Sequence, residues 1–237
     1  MRRACSTNAG KIEMATVKTI RAMLMPGRRL EPGNTSEVAA LVLKNPRKTG
    51  QVIECLWDED AGVANRAADA LERASSRRPQ ILVRWKDAIL DRMLDAGENK
   101  LRWNLALMVS RMRLNEIDTA RAAAVLRTWL DDKSSIVKTS AMHGLAGLTQ
   151  NDASLLPEVL DMLRVLSRSG TPAMRARGRI LLKRIESGKA LPVVTGELPA
   201  RCQAQQMPGG VTAKVPGKRA PSPKARRQSP DPRLAVR

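Results

Sequence analysis

The sequence predicts an all-α fold: a right-handed α-solenoid of about four stacked helical hairpins with an N-terminal capping helix and disordered ends. Four segments carry apolar or small residues at offsets 0, +4, +7 and +8, which lie on one face of an α-helix. Their starts are 38, 36 and 37 residues apart. A period of this size is typical of helical hairpins that cover their apolar faces by stacking. The four segments begin at Val63, Leu101, Val137 and Met174.

The composition favours thin, two-layer packing of helices. Hydrophobic residues make up 43% of the 237-residue chain, but Phe and Tyr are absent and only four Trp supply aromatic bulk. The core is therefore expected to consist of Leu, Val, Ile, Ala and Met. No stretch approaches the roughly 18 uninterrupted apolar residues of a membrane span, so the sequence predicts no membrane segment.

Both ends of the chain are predicted to lie outside the folded block. Residues 1–34 are interpreted as a flexible basic leader, in which residues 15–25 have the pattern of a short helix. Residues 191–237 are rich in proline and contain few large apolar side chains. Such a segment cannot bury enough surface to offset the entropy of ordering, and it is therefore predicted to be a disordered, basic tail.

The repeat domain is assigned to residues 35–190. It is predicted to open with a helix from Val38 to Lys44, which ends near Pro46. The terminal unit of a solenoid must cover an apolar end. This first helix is therefore interpreted as a cap over the first hairpin.

A second apolar series runs through the first helices of the hairpins, and its members are 37, 36 and 37 residues apart. Two independent series with one period make coincidence improbable. The polar turn before each second helix is expected to supply a helix stop and an N-cap, and Pro172 suits a first helical turn. The series consists of Val52, Ile89, Val125 and Met162.

The repeated pattern resembles HEAT repeats of the armadillo-type α-solenoid class. It is clearest in Asp60-x-x-Val63-x-x-x-Ala67-x-x-Ala70-Leu71, and the resemblance covers about residues 36–187. Members of this family are mostly interaction scaffolds, so the resemblance implies a binding surface on a concave face of second helices.

The resemblance also implies a basic residue directly after the first apolar position of each second helix. Arg102, Lys138 and Arg175 fit this pattern, whereas Ala64 departs from it. A ladder of ion pairs between repeats is therefore expected to be incomplete.

The net charge points to an acidic partner. The chain contains 42 Lys and Arg against 23 Asp and Glu, a net charge of +19. The leader carries +5, the repeat domain +7 and the tail +7, so most of the excess lies outside the folded block. Such a charge attracts a polyanion without identifying it.

Basic residues of the second helices form the first candidate site, a concave surface for an acidic peptide or for phosphates. The alternative is a solvated face with ion pairs between repeats, for which Asp60 and Glu98 are the expected acidic partners. The last repeat is the most basic, because its second helix also carries Lys183 and Arg184. The candidates are Arg66, Arg102, Lys138, Arg175, Arg177 and Arg179.

The tail supplies a second candidate contact. Lys224, Arg226 and Arg227 follow Ser222-Pro223, and such basic, proline-rich arms bind nucleic acid by charge without reading its sequence. A solubilising or accessory tail is the alternative interpretation.

No catalytic residue, cofactor site or metal site is predicted. Cys5, Cys55 and Cys202 are far apart and match no disulfide or zinc pattern, which favours a reducing cytoplasm. His143, the only histidine, is interpreted as an ordinary helix residue, because a general acid or base needs convergent partners.

The leading hypothesis is a non-enzymatic scaffold or adaptor that binds an unidentified protein partner on the concave face of the second helices. The alternative is a nucleic-acid-associated protein that uses the basic last repeat and the tail. A remote alternative, based on fold-level resemblance alone, is a glycosylase of the DNA-alkylation-repeat type or a lyase.

Overall fold

Helices account for all the regular secondary structure that the structure describes. The computed structural model describes residues 20–25, 34–189 and 191, and no β-strand occurs among them. The all-α prediction is therefore confirmed. Most of the predicted leader and nearly all of the predicted tail, including Lys224, Arg226 and Arg227, lie outside the described residues.

Residues 20–24 are helical, and further helices follow from residue 35 onward. Short 3-10 turns connect several of these helices. The predicted capping helix lies within the first helix after residue 34, α1 (Thr35–Lys44). The α-helices between residues 34 and 189 are α1 (Thr35–Lys44), α2 (Thr49–Glu54), α3 (Ala61–Arg77), α4 (Lys86–Leu94), α5 (Asn99–Val109), α6 (Glu116–Trp129), α7 (Ser135–Leu148), α8 (Leu156–Ser169) and α9 (Pro172–Glu186).

The predicted side-chain N-cap is confirmed at two of the second helices, α3 and α9. It is wrong for α5 and α7, whose N-cap residues, Glu98 and Ser134, make no side-chain capping bond. The Asp60 carboxylate accepts a hydrogen bond from the backbone N–H of Gly62 at 2.7 Å and caps α3. The Thr171 hydroxyl accepts one from the backbone N–H of Met174 at 3.3 Å, and Pro172 opens α9. These bonds satisfy amides that the first turn of a helix leaves without a partner.

The helices form pairs of chain neighbours, and each second helix also packs against the next second helix. The pairs are α2 with α3, α4 with α5, α6 with α7 and α8 with α9. Across the pairs, α3 packs against α5, α5 against α7 and α7 against α9, while α1 packs against α3. The four predicted apolar positions are all buried in α3, α5 and α7; in α9, Leu182 is only partly buried. The apolar face predicted for the second helices is thus confirmed, with this weakening at the last one.

The first helices depart from the predicted register in the last two pairs. Val125 and Met162 are only partly buried, whereas Leu126 and Leu163 are fully buried. Adjacent helical residues lie about 100° apart, so either of two consecutive apolar residues can face the core. In α6 and α8 the leucine one position later takes the core place.

Residues 20–25, which the sequence assigns to the leader, pack against the first pair. Ile20 and Leu24 are buried within the hydrophobic core. The Arg21 guanidinium donates two hydrogen bonds to the Asp58 carboxylate, at 2.6 and 3.0 Å, and this pairing fixes the helical turn beside the start of α3.

Two glycines allow α5 and α7 to approach closely. A Cβ atom added to Gly147 would lie 2.7 Å from the Cα atom of Ser110, and one added to Gly144 would lie 3.2 Å from the carbonyl oxygen of Ala106. Ala106 lies in α5 and Ser110 directly follows it, and both contacts are with backbone atoms. The close approach of α5 and α7 therefore depends on the absence of side chains at these positions.

Polar bonds connect successive pairs as well. Each joins residues 30 to 39 positions apart, close to the repeat period. The bonds are those from Arg92 to the carbonyl oxygen of Leu56, from Arg121 to Asp91, from Arg127 to Glu158, and from Asn151 to the carbonyl oxygen of Met112.

Candidate binding surface

The six candidate basic residues all lie on second helices, as the sequence predicts, but they do not form one uniform surface. One lies on each of α3, α5 and α7, and three lie on α9. Their hydrogen-bond partners differ from one second helix to the next. Half of the six hydrogen-bond within the fold, through Arg66, Arg102 and Arg175.

Arg66 serves the fold at the first pair. Its Nε donates a hydrogen bond to the carbonyl oxygen of Leu24, and its Nη2 is buried without a hydrogen-bond partner. The guanidinium therefore ties residues 20–25 to α3 instead of facing a ligand.

Arg102 forms an ion pair between the second and third pairs. Its Nη1 lies 2.5 Å from Oδ2 of Asp132, whose side chain is 4% exposed, and its Nε donates to the carbonyl oxygen of Ala96 at 2.6 Å. The predicted partners were Asp60 and Glu98. Asp60 instead caps α3, and the Glu98 side chain makes no capping bond. The acidic partner of Arg102 is therefore Asp132, in the turn before the following second helix.

Arg175 and Lys138 are half-buried. Arg175 donates to the carbonyl oxygen of Gly170 at 2.7 Å, within its own turn. The Lys138 side chain makes no hydrogen bond or ion pair with any residue that the structure describes.

Helix α9 has an exposed, basic surface. Only three of its residues are buried, and Arg179, Lys183 and Arg184 are exposed. By contrast, α5 is buried without interruption over residues 103–109, and α7 over residues 140–148. Most of the solvent-facing charge of the second helices is therefore concentrated on the last one.

One buried ion pair was not predicted from the sequence. Nη2 of Arg111, just beyond α5, lies 2.5 Å from Oε1 of Glu72 in α3, and the Glu72 side chain is 0% exposed. The same guanidinium also donates to the Ser75 hydroxyl at 3.3 Å. The only signal is the spacing of 39 residues, which is close to the repeat period but matches many other pairs equally well.

His143 lies inside the α5–α7–α9 contact. Its side chain is buried, at 3% exposure, and its Nδ1 has no hydrogen-bond partner. Burial, together with the positive charges of Arg177 and Arg111, lowers the pKa of His143 from its ordinary value to about 3. The ring is therefore neutral at physiological pH and does not change its protonation state there.

We expect His143 to make the protein less stable in mild acid. A histidine whose pKa is lower in the folded than in the unfolded chain stabilises the fold above about pH 6.5, and this stability is lost as the pH falls toward 3. Between about pH 7.5 and about pH 5 the loss is about 2 kcal/mol. Urea unfolding at both pH values should show it, and His143→Gln should remove that part of the difference. An unchanged difference in the variant would contradict the assignment.

Neither a metal-binding cluster nor a membrane-spanning helix occurs among the described residues. No group of three or more His, Cys, Asp or Glu side chains in that part of the chain is arranged to hold a metal ion. No helix there is both long enough and apolar enough to cross a bilayer.

Comparison with known proteins adds no relative. The sequence matches none of the protein-family models and none of the curated proteins with which it was compared.

Proposed function

We propose that this chain is a right-handed α-solenoid of four HEAT-like hairpins, capped by α1, and that it acts as a non-enzymatic scaffold for a protein partner. The order of helix packing supports the proposal, because each pair contacts the next pair through like helices. The polar bonds that join residues 30 to 39 positions apart support it as well.

We further propose that the partner binds the second-helix side and that α9 is its main contact. The observation that carries this proposal is the charge of α9, which has five basic side chains against a single acid, Glu186. Because α5 and α7 are largely buried, α9 offers the most accessible part of the second-helix series. A partner with an acidic surface fits it best.

Charge reversal on α9 tests this function. Arg179→Glu with Lys183→Glu changes two exposed side chains and should leave the fold intact. The full-length protein should recover a protein partner after nuclease treatment, and the double variant should recover at least about tenfold less, since reversal turns attraction into repulsion. Quantitative mass spectrometry of the purified complexes measures the recovery.

A matched control is available on the neighbouring helix. Arg168 is an exposed residue of α8, so Arg168→Glu changes the local charge without changing the α9 surface. Its recovery of the partner should stay within about twofold of the wild type. Equal recovery by the α9 double variant would contradict the scaffold proposal.

Nucleic-acid binding is the second candidate function, and the same α9 charges favour it. Exposed arginine and lysine on one helix can contact successive phosphates. In that case nuclease would abolish recovery, and the affinity for a DNA duplex would fall steeply with salt. If a protein partner is still recovered after nuclease treatment, nucleic acid does not bridge that partner and this protein.

A further inference from the structure

An apolar residue followed by aspartate stands near the end of the first helix in three of the four pairs. The three dipeptides are Trp57-Asp58, Leu94-Asp95 and Leu130-Asp131, 37 and 36 residues apart, whereas Ser167-Arg168 stands at this place in the fourth pair. The apolar member is 46% exposed at Trp57 and 64% exposed at Leu94. A chain whose net charge is +19 thus repeats a combination of apolar surface and negative charge.

Tertiary packing leaves the aspartates of the second and third pairs available to a partner. Asp58 in the first pair accepts two hydrogen bonds from Arg21, at 2.6 and 3.0 Å. The side chains of Asp95 and Asp131 are exposed, and neither makes a hydrogen bond or ion pair with any residue that the structure describes. The exposed apolar surface and the unpaired acids therefore coincide at the second and third pairs.

A groove of about 500 Å³ lies between these two pairs, where α4 packs against α6. Its apolar lining includes Leu94, Val125 and Trp129, and its acidic lining includes Asp131. Val125 is half-buried and Trp129 is buried, so Leu94 is the most exposed of the three apolar side chains. An aliphatic side chain placed on Leu94 would remove apolar surface of both molecules from water, which favours association.

The unbalanced charge of this groove is that of Asp131. The other two charged residues of its lining, Arg102 and Asp132, form the ion pair described above, with Nη1 of Arg102 2.5 Å from Oδ2 of Asp132. Oδ1 of Asp132 accepts a hydrogen bond from the backbone N–H of Ser134 at 2.6 Å. Because these two charges compensate each other, the groove attracts a basic group and repels a phosphate or a carboxylate.

We propose that the groove between α4 and α6 is a docking site for a basic, amphipathic segment of a partner protein. A large aliphatic side chain of the segment packs on Leu94 and Val125, and a lysine or arginine beside it in the segment pairs with Asp131. Asp95, which directly follows Leu94, adds a second negative charge at this edge. The groove and α9 share no residue, so the groove can hold a basic segment whether or not α9 binds an acidic partner.

Titration of the full-length protein with synthetic peptides tests the site. The probes are a peptide of repeated Lys-Leu-Ala units, one in which glutamate replaces lysine, and one in which serine replaces leucine. The chain contains four Trp, so 5-fluorotryptophan labelling gives few fluorine signals, and Trp129→Phe assigns the one from the groove. The Lys-Leu-Ala peptide should shift the Trp129 signal to saturation. Each of the other two peptides should bind at least about tenfold more weakly.

Two substitutions in the groove and two matched controls locate the binding, and all four change exposed side chains. Leu94→Ser removes apolar surface and Asp131→Lys reverses the charge, so each should weaken binding of the Lys-Leu-Ala peptide at least about tenfold. Ile117→Ser is the apolar control, because Ile117 is 73% exposed on α6 outside the groove. Glu54→Lys is the charge control, because Glu54 lies in the first pair. Both controls should change the affinity less than about twofold.

Several results would overturn the site. They are the absence of a saturable shift of the Trp129 signal, equal weakening by the groove variants and their controls, and equally tight binding of the glutamate or serine peptide. Ultracentrifugation of the protein alone gives one more: self-association that Leu94→Ser and Asp131→Lys abolish would make the occupant a second copy of this chain. The Arg179 and Lys183 reversal changes no residue of the groove, so failure of this site is distinct from failure of the scaffold.

Discussion

Replacing Arg111 with leucine is expected to lower the free energy of unfolding by about 3–5 kcal/mol, because the buried Glu72 carboxylate loses the guanidinium that faces it. The Glu72 side chain is 0% exposed and that of Arg111 is 11% exposed, so little water can replace the lost bond. The pair also connects α3 with the end of α5, two second helices in contact. Urea unfolding at neutral pH measures the change.

A surface pair provides the control for Arg111. Arg164 lies 2.9 Å from Asp161 within α8, and both side chains are more than half exposed. Arg164→Leu should therefore cost less than about 1 kcal/mol. Glu72→Gln combined with Arg111→Leu should recover part of the loss, since it removes the buried charge. If Arg111→Leu costs no more than Arg164→Leu, the buried pair contributes nothing specific to stability.

The helices of this protein could be predicted because their signals are local. Apolar residues at offsets 0, +4, +7 and +8 specify a buried face whatever that face packs against, and the period indicates that the units are alike. The first-helix series was wrong at two of its four positions, because a local pattern does not decide between adjacent apolar residues. Where two apolar residues are consecutive, as at Val125 and Leu126, the pattern does not decide which one faces the core.

The burial and the partners of each basic side chain could not be predicted, because they depend on atoms that are distant in the sequence. Arg102 and Arg175 occupy equivalent positions in their repeats, yet one pairs with an aspartate 30 residues away and the other with a carbonyl in its own turn. Arg177 and Arg179 are two residues apart on one helix, and only Arg177 is half-buried. The sequence pattern predicts which helix carries the charges. Tertiary packing determines which of them find an acidic or carbonyl partner.

Replacing Gly147 with valine is expected to lower the free energy of unfolding by about 3 kcal/mol or more, because the new side chain has no room between α5 and α7. Its Cβ alone would lie 2.6 Å from Cβ and 2.7 Å from Cα of Ser110, and closer still to the Ser110 carbonyl oxygen. Backbone atoms cannot rotate away, so α5 would have to move. Gly144→Ala should cost less, since the nearest atoms are methyl carbons of Leu126, which can change rotamer.

The Gly147 effect can be separated from the helix preference of valine. Ala176 is an exposed residue of α9, so Ala176→Val introduces a β-branched residue into a helix without a packing conflict. That change should cost only about 0.5 kcal/mol, whereas Gly147→Val adds the cost of forcing two buried helices apart. Thermal and urea unfolding of both variants measure the difference. Equal losses of unfolding free energy in the two variants would mean that α5 and α7 can move apart without penalty. The close approach of these helices would then not stabilise the fold.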